Sequence, residues 1–132
     1  MPINNENTTM KPLALVIEDD DVIAKLIDLI LVRDGFTVTR AADGREGLRY
    51  IEAARRPDLI LLDVMLPFVS GFDVLRQVRL TAGWEKVPLI MLTAKSQEAD
   101  IVNSLDAGAS DYIVKPFKPN ELIARIKRLM RS

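Results

Sequence analysis

Short apolar runs alternate along the chain with longer segments in which apolar residues recur every three or four positions. The short runs are Leu13-Ala14-Leu15-Val16-Ile17, Thr37-Val38-Thr39, Leu59-Ile60-Leu61-Leu62, Leu89-Ile90-Met91-Leu92 and Tyr112-Ile113-Val114. Their length and β-branched content predict strands, and the first, third and fourth are apolar throughout, as expected of central parallel strands covered on both faces. Between them Val22, Ile23, Leu26, Ile27, Ile30 and Leu31 repeat with helical period and stop at Gly35. Asp43 with Glu46, and Ser70 with Asp73, have capping-box spacing for a second and a third helix. Ser96 stands where it could cap a fourth, carrying Ile101, Val102 and Leu105 to Gly108. Pro119 opens a fifth with Leu122, Ile123, Ile126 and Leu129-Met130 on its apolar side.

Alternating strands and helices predict a doubly wound α/β fold with a five-stranded parallel sheet and five helices. Such sheets carry their functional sites beyond the carboxyl ends of the strands. That rule selects Glu18, Asp19 and Asp20 after the first strand, Asp63 after the third, Thr93 after the fourth, and Lys115 with Pro116 after the fifth. Taken singly, each has a plainer reading. Asp20 or Asp21 can cap a helix, Asp63 can begin a turn, Thr93 suits a strand and Lys115 can be a solvated lysine. Together they place acids, a hydroxyl and an ammonium at one edge of one sheet. Carboxylates gathered there repel one another unless a cation lies among them, and oxygen ligands suit magnesium. Glu18, Asp19 and Asp63 are the candidate ligands. One of the carboxylates could then attack phosphorus, with Lys115 pairing with a phosphoryl oxygen and the Thr93 hydroxyl donating to another.

Composition removes most other chemistries. The 132 residues include no cysteine and no histidine, which excludes disulfides, thiol nucleophiles, imidazole bases and the usual zinc sites. Eighteen basic against nineteen acidic residues leave a net charge of -1, so no global positive field recruits nucleic acid. Met1 to Met10 is polar and unlike a signal peptide, and no later apolar run approaches the length of a membrane span. A cytoplasmic protein is expected, with a flexible tail over residues 1–11 and one domain over 12–132.

Four stretches carry a resemblance to the response-regulator receiver domains of bacterial two-component systems, from about Leu13 to Arg131. They are Val16-Ile17-Glu18-Asp19-Asp20, Pro57-Asp58-Leu59-Ile60-Leu61-Leu62-Asp63-Val64-Met65-Leu66-Pro67, Met91-Leu92-Thr93-Ala94 and Gly108-Ala109-Ser110-Asp111-Tyr112-Ile113-Val114-Lys115-Pro116-Phe117. The resemblance implies a flavodoxin-like sheet of order 2-1-3-4-5. It makes Asp63 the phosphoacceptor, Glu18 and Asp19 the acidic pair that holds Mg2+, and the backbone carbonyl of Met65 a further ligand. It gives Lys115 the contact to the phosphoryl group and a cis peptide to Pro116, and makes Thr93 and Tyr112 a switch pair. Without the resemblance, Tyr112 reads as plain packing in an edge strand, Gly71 as an ordinary loop glycine, and Met65, Leu66 and Phe68 around Pro67 as an apolar turn. The implied partner is a histidine kinase or histidine phosphotransfer protein.

Two rival functions compete with this reading. A degenerate receiver, a binding module without phosphorylation, predicts a missing site residue, and none is missing. A phosphohydrolase working through an aspartyl-phosphate needs an acid/base beside the nucleophile, where Val64 and Met65 stand instead. Met65 and Lys95, two residues beyond Asp63 and Thr93, offer no acceptor to orient a water, which implies slow loss of the phosphoryl group. From Lys115 to Arg128 the chain is most similar to receivers of the winged-helix transcription-factor class, which pair through the fourth helix, fifth strand and fifth helix. Asp111, Glu121 and Arg125 match residues of that pairing surface, while Ile101 and Ser110 replace charged ones. A weak homodimer favoured by phosphorylation is expected.

Overall fold

In the computed structural model, residues 10–53, 55–94 and 98–131 are described. Most of the expected tail, the Ser96 cap and Lys95 lie outside them. The elements run β1 (Leu13–Ile17), α1 (Asp21–Arg33), β2 (Thr37–Ala41), α2 (Gly44–Ala53), β3 (Leu59–Asp63), α3 (Gly71–Leu80), β4 (Leu89–Ala94), α4 (Glu98–Asp106), β5 (Asp111–Lys115) and α5 (Pro119–Met130). The strands form one parallel sheet of order β2-β1-β3-β4-β5, the doubly wound α/β architecture read from the sequence.

Strand alternation divides the core in two. Leu15, Ile17, Ile60, Leu62, Leu89 and Met91 face one layer with Ile51 of α2 and Val74, Leu75 and Val78 of α3. Ala14, Val16, Leu59, Leu61, Ile90, Leu92 and Ile113 face the other, against Ile27, Ile30 and Leu31 of α1 and Leu122 and Ile126 of α5. Because successive side chains point to opposite faces, an apolar run at each central strand is what two covered faces require.

The caps fix where helices start, and hence where the strand-end loops lie. The Asp20 carboxylate accepts the Val22 and Ile23 N–H groups at 2.9 and 3.0 Å. Asp43 accepts the Glu46 N–H at 3.0 Å, while the Glu46 carboxylate reaches back to the Ala42 N–H at 2.8 Å. Ser70 accepts from Asp73 at 3.2 Å. Gly35 and Gly108, at φ 94 and 106, end α1 and α4 in the left-handed region that glycine enters without a Cβ clash.

The helical faces differ from the apolar pattern in two places. In α1, Val22 and Leu26 point outward with Leu29 and Val32, because the sheet covers only the stripe of Ala24, Ile27, Ile30 and Leu31. In α4, Val102 and Leu105 are exposed and Ile101 is half-buried; only Ser104 is buried, donating its hydroxyl to the Asp100 carbonyl at 2.6 Å. An apolar stripe read from sequence records which residues could be covered, and the width of the facing surface decides which are.

Candidate functional site

The carboxyl ends of β1, β3, β4 and β5 converge on one acidic centre. β3, β4 and β5 each continue one or two residues beyond their apolar runs, so sheet hydrogen bonding carries polar side chains into the rim. Asp63 ends β3, Thr93 and Ala94 end β4, and Lys115 ends β5. Glu18 directly follows β1, its N–H donating to the Ala41 carbonyl at 3.1 Å.

Glu18, Asp19 and Asp63 each bring one carboxylate oxygen within 4.8 Å of the others. Glu18 and Asp63 are buried, at 0% and 4% exposure, and Asp19 is exposed. Lys115 Nζ donates to Glu18 Oε1 at 3.0 Å and to Asp63 Oδ2 at 3.2 Å. The second oxygen of each buried acid is held by backbone: Glu18 Oε2 accepts the Asp20 N–H at 3.1 Å, and Asp63 Oδ1 accepts the Met65 N–H at 3.1 Å. The Lys115–Pro116 peptide is cis.

Among the described residues, one ammonium at the centre does not neutralise three carboxylates. Burial, then the charge of Asp63, push the Glu18 carboxyl up to about 7, against the opposing pull of Lys115 and the Asp20 N–H. Burial pulls Lys115 down, but its hydrogen bond to Glu18 and the charges of Asp63 and Glu18 outweigh it, leaving the ammonium above its ordinary value. Hard oxygen donors close together and short of positive charge fit a small divalent cation.

Thr93 is buried and donates its hydroxyl to the Ala94 carbonyl at 3.2 Å rather than to the acidic centre. Tyr112 is half-buried on β5, with the Arg125 guanidinium 5.6 Å from its ring centroid. The close approach at Gly71 has a clear cause: a Cβ there would overlap the Asp63 carbonyl and the Val64 backbone. Met65 and Phe68 are exposed beside the centre, and Leu66 is half-buried. The expected pairing residues lie apart from the site and are bonded within the chain. Arg125 Nη1 donates to both oxygens of Asp111 at 3.0 and 3.1 Å, Arg128 donates to the same carboxylate at 2.7 Å, and Glu121 stands 3.5 Å from Arg125 Nε.

Arg40 and Arg79 complete the scaffold without having been singled out by sequence. Arg40 donates from Nε and Nη2 to the Glu18 carbonyl at 3.1 and 2.8 Å, fixing the backbone that presents the acidic pair. Arg79 binds the carbonyls of Gly108, Trp84 and Val87, joining the loops before β4 and β5. Burial lowers its guanidinium below the ordinary arginine value. A lone arginine at the polar end of β2 was the only signal for Arg40, and its partner lies 22 residues away.

Sheet order, crossover helices and a lysine-bridged acidic centre at the strand ends define the class, and comparison with known proteins agrees. Residues 14–127 match the response regulator receiver domain, and the chain belongs to that family. It is 44% identical over 123 residues to the DNA-binding response regulator MtrA of Mycobacterium tuberculosis, covering 93% of this chain and 52% of that protein. It is 53% identical over 118 residues to the transcriptional regulatory protein DltR of Streptococcus agalactiae, covering 89% and 51%. The chain therefore spans about half the length of these curated relatives. Among solved structures, the receiver domain of sensor histidine kinase PA1611 from Pseudomonas aeruginosa, with a magnesium ion coordinated in its active site cleft, superposes with a TM-score of 0.85 at 36% identity, covering 93% and 100% of the two chains. Chemotaxis response regulator CheY4 of Vibrio cholerae gives 0.84 at 31%, covering 91% and 99%.

Proposed function

We propose that this receiver takes a phosphoryl group onto Asp63 from the phosphohistidine of a histidine kinase or histidine phosphotransfer protein. The observation that carries this reading is the state of Asp63. It is buried, with one oxygen on the Met65 N–H and the other on Lys115, beside Glu18 and Asp19. Mg2+, held by Glu18, Asp19, Asp63 and the Met65 carbonyl, would offset the charge of the incoming phosphoryl oxygens. The magnesium ion coordinated in the active site cleft of the PA1611 receiver domain supports that assignment.

A carboxylate oxygen of Asp63 forms the new bond to phosphorus as the phosphorus–nitrogen bond to the donor imidazole breaks, and the imidazole leaves with its electron pair. Lys115 is already within hydrogen-bond reach of Asp63 and can follow the phosphoryl oxygens as charge moves onto them. Thr93 donates only a long bond to its neighbour's carbonyl, so its hydroxyl is free to turn towards the phosphoryl group. Tyr112 then follows into the space vacated, altering the surface of α4, β5 and α5. A weak homodimer through that surface, favoured by phosphorylation, belongs to the same reading, as does a cytoplasmic location. Among the described residues no helix is long and apolar enough to cross a membrane.

Turnover as a phosphohydrolase is not favoured, because Val64 and Met65 follow Asp63 and the chain has no histidine to act as base. Phosphoryl loss is correspondingly slow. Intact-mass spectrometry tests the reading directly. Acetyl phosphate with Mg2+ adds one acid-labile phosphoryl group to the wild type and none to Asp63→Asn; uptake by Asp63→Asn at the wild-type rate would exclude Asp63.

A further inference from the structure

Phe68 is placed against two preferences at once. Its φ of 72 lies in the left-handed region, where a bulky residue is an outlier, and its side chain is 70% exposed. Glycine would relax the backbone there, and burial would better suit the ring. The ring instead lies under the Arg45 guanidinium, 3.5 Å from its centroid, while Asp43 approaches Arg45 at 3.5 Å. The adjoining contact is equally close: a Cβ on Gly44 would overlap the Val69 carbonyl and side chain. The start of α2 and the tip of the β3–α3 loop thus meet through consecutive residues on both sides.

The other end of the loop is also fixed. The Gly71 N–H donates to the Val64 carbonyl at 3.0 Å, and Gly71 itself packs on the Asp63 backbone. Between the two anchors lies Met65, whose N–H holds Asp63 Oδ1 at 3.1 Å. A strained residue persists where its surroundings over-determine it, and strain of this kind gathers at functional loops. A planar guanidinium stacks on an aromatic face, which a lysine ammonium does only as a point charge.

We propose that the stack of Arg45 on Phe68 is a latch that positions the β3–α3 loop, so that the Met65 backbone grips Asp63 and offers its carbonyl to the cation. Arg45 and Phe68 are positioning residues and touch no reacting atom. For its functional readout the proposal rests on the reading of Asp63 as a cation-assisted phosphoacceptor. The latch itself is a property of the metal-free chain.

The test compares Phe68→Gly, Phe68→Tyr and Arg45→Ala with the wild type. Met65 amide exchange is followed by NMR without metal, and Mg2+ affinity by titration calorimetry. Phe68→Gly removes the ring together with the backbone conflict, so its melting temperature is expected to equal or exceed that of the wild type. Its Met65 amide should nevertheless exchange at least about fivefold faster as the loop opens locally. Its Mg2+ affinity should fall about three- to tenfold through lost preorganisation. Arg45→Ala should match it, and Phe68→Tyr, which keeps the stack, should stay within about twofold of the wild type. Wild-type exchange and affinity in Phe68→Gly would overturn the latch, and so would equal losses in Phe68→Tyr. A wild type that binds no Mg2+ while Phe68→Gly still loses Met65 protection would overturn the cation reading and leave the latch supported.

Discussion

The protein holds buried acids in two opposite ways. At the carboxyl ends of the strands the buried carboxylates of Glu18 and Asp63, with the exposed Asp19 beside them, share one ammonium among the described residues, that of Lys115. At the amino end of β5 one carboxylate, Asp111, holds two guanidiniums, those of Arg125 and Arg128. Both centres are geometrically ordered, yet among the described residues only the first is short of positive charge. A buried acid with surplus partners is structural cement. One with too few is under electrostatic tension that a cation, a proton or a phosphoryl group can relieve.

The largest effect should come from making the poor centre poorer. Lys115→Ala removes the ammonium bonded to Glu18 and Asp63, and phosphoryl uptake from acetyl phosphate, read by intact mass, should fall about 100-fold or more. Uptake within threefold of the wild type, roughly the spread of ordinary surface effects, would break the comparison.

The proton offers a subtler probe. Glu18 is pushed up to about 7 in the folded chain against 4.5 ordinarily. Between those values the folded state keeps a proton that the unfolded state has released. The contribution of Glu18 to stability is therefore full below about 4.5, declines as pH rises, and is lost above about 7. Urea unfolding of the wild type without metal should show that decline relative to Glu18→Gln. Added Mg2+, which competes with the proton, should stabilise the wild type increasingly over the same range. A wild type and a Glu18→Gln variant with parallel pH profiles would deny the tension at Glu18.

Asp111→Ala should do the reverse of Lys115→Ala. It leaves the partly buried Arg125 without its main acceptor, at a cost of about 1–3 kcal/mol in urea unfolding, while uptake stays unchanged because the centre is remote from Asp63. The smallest effect concerns association. Arg125 and Asp111 already pair within the chain, so joining two copies exchanges partners more than it adds them. Exposed pairs are worth about 0–1 kcal/mol each. Sedimentation with beryllofluoride should show a weak dimer that Arg125→Glu abolishes; a monomer with and without the mimic would reject the pairing surface.

The fold was legible because its signals are local. Apolar runs marked β1, β3 and β4, and the caps at Asp20, Asp43 and Ser70 rest on bonds to residues two or three positions away. The site was legible because its polar residues directly follow those runs. What escaped was long-range or geometric. β3, β4 and β5 extend past their apolar runs because backbone pairing continues where side chains turn polar. Arg79 reaches carbonyls as far as 29 residues away, and Phe68 is distinguished by a backbone angle that composition does not encode. The outward face of α1 is apolar for a reason the sheet does not supply.

Trp84 gives the molecule an optical asymmetry. It is the single tryptophan of the chain, buried in the segment leading into β4 and meeting the Tyr50 ring edge-on at 6.5 Å. The acidic centre lies at the other end of the strands, about 15 Å away at 3.3 Å per residue. Indole emission should therefore be blind to phosphoryl uptake and cation binding, yet change sharply when the core opens. Fluorescence then reports unfolding alone, so a ligand that shifts the unfolding midpoint does so without a direct optical signal of its own.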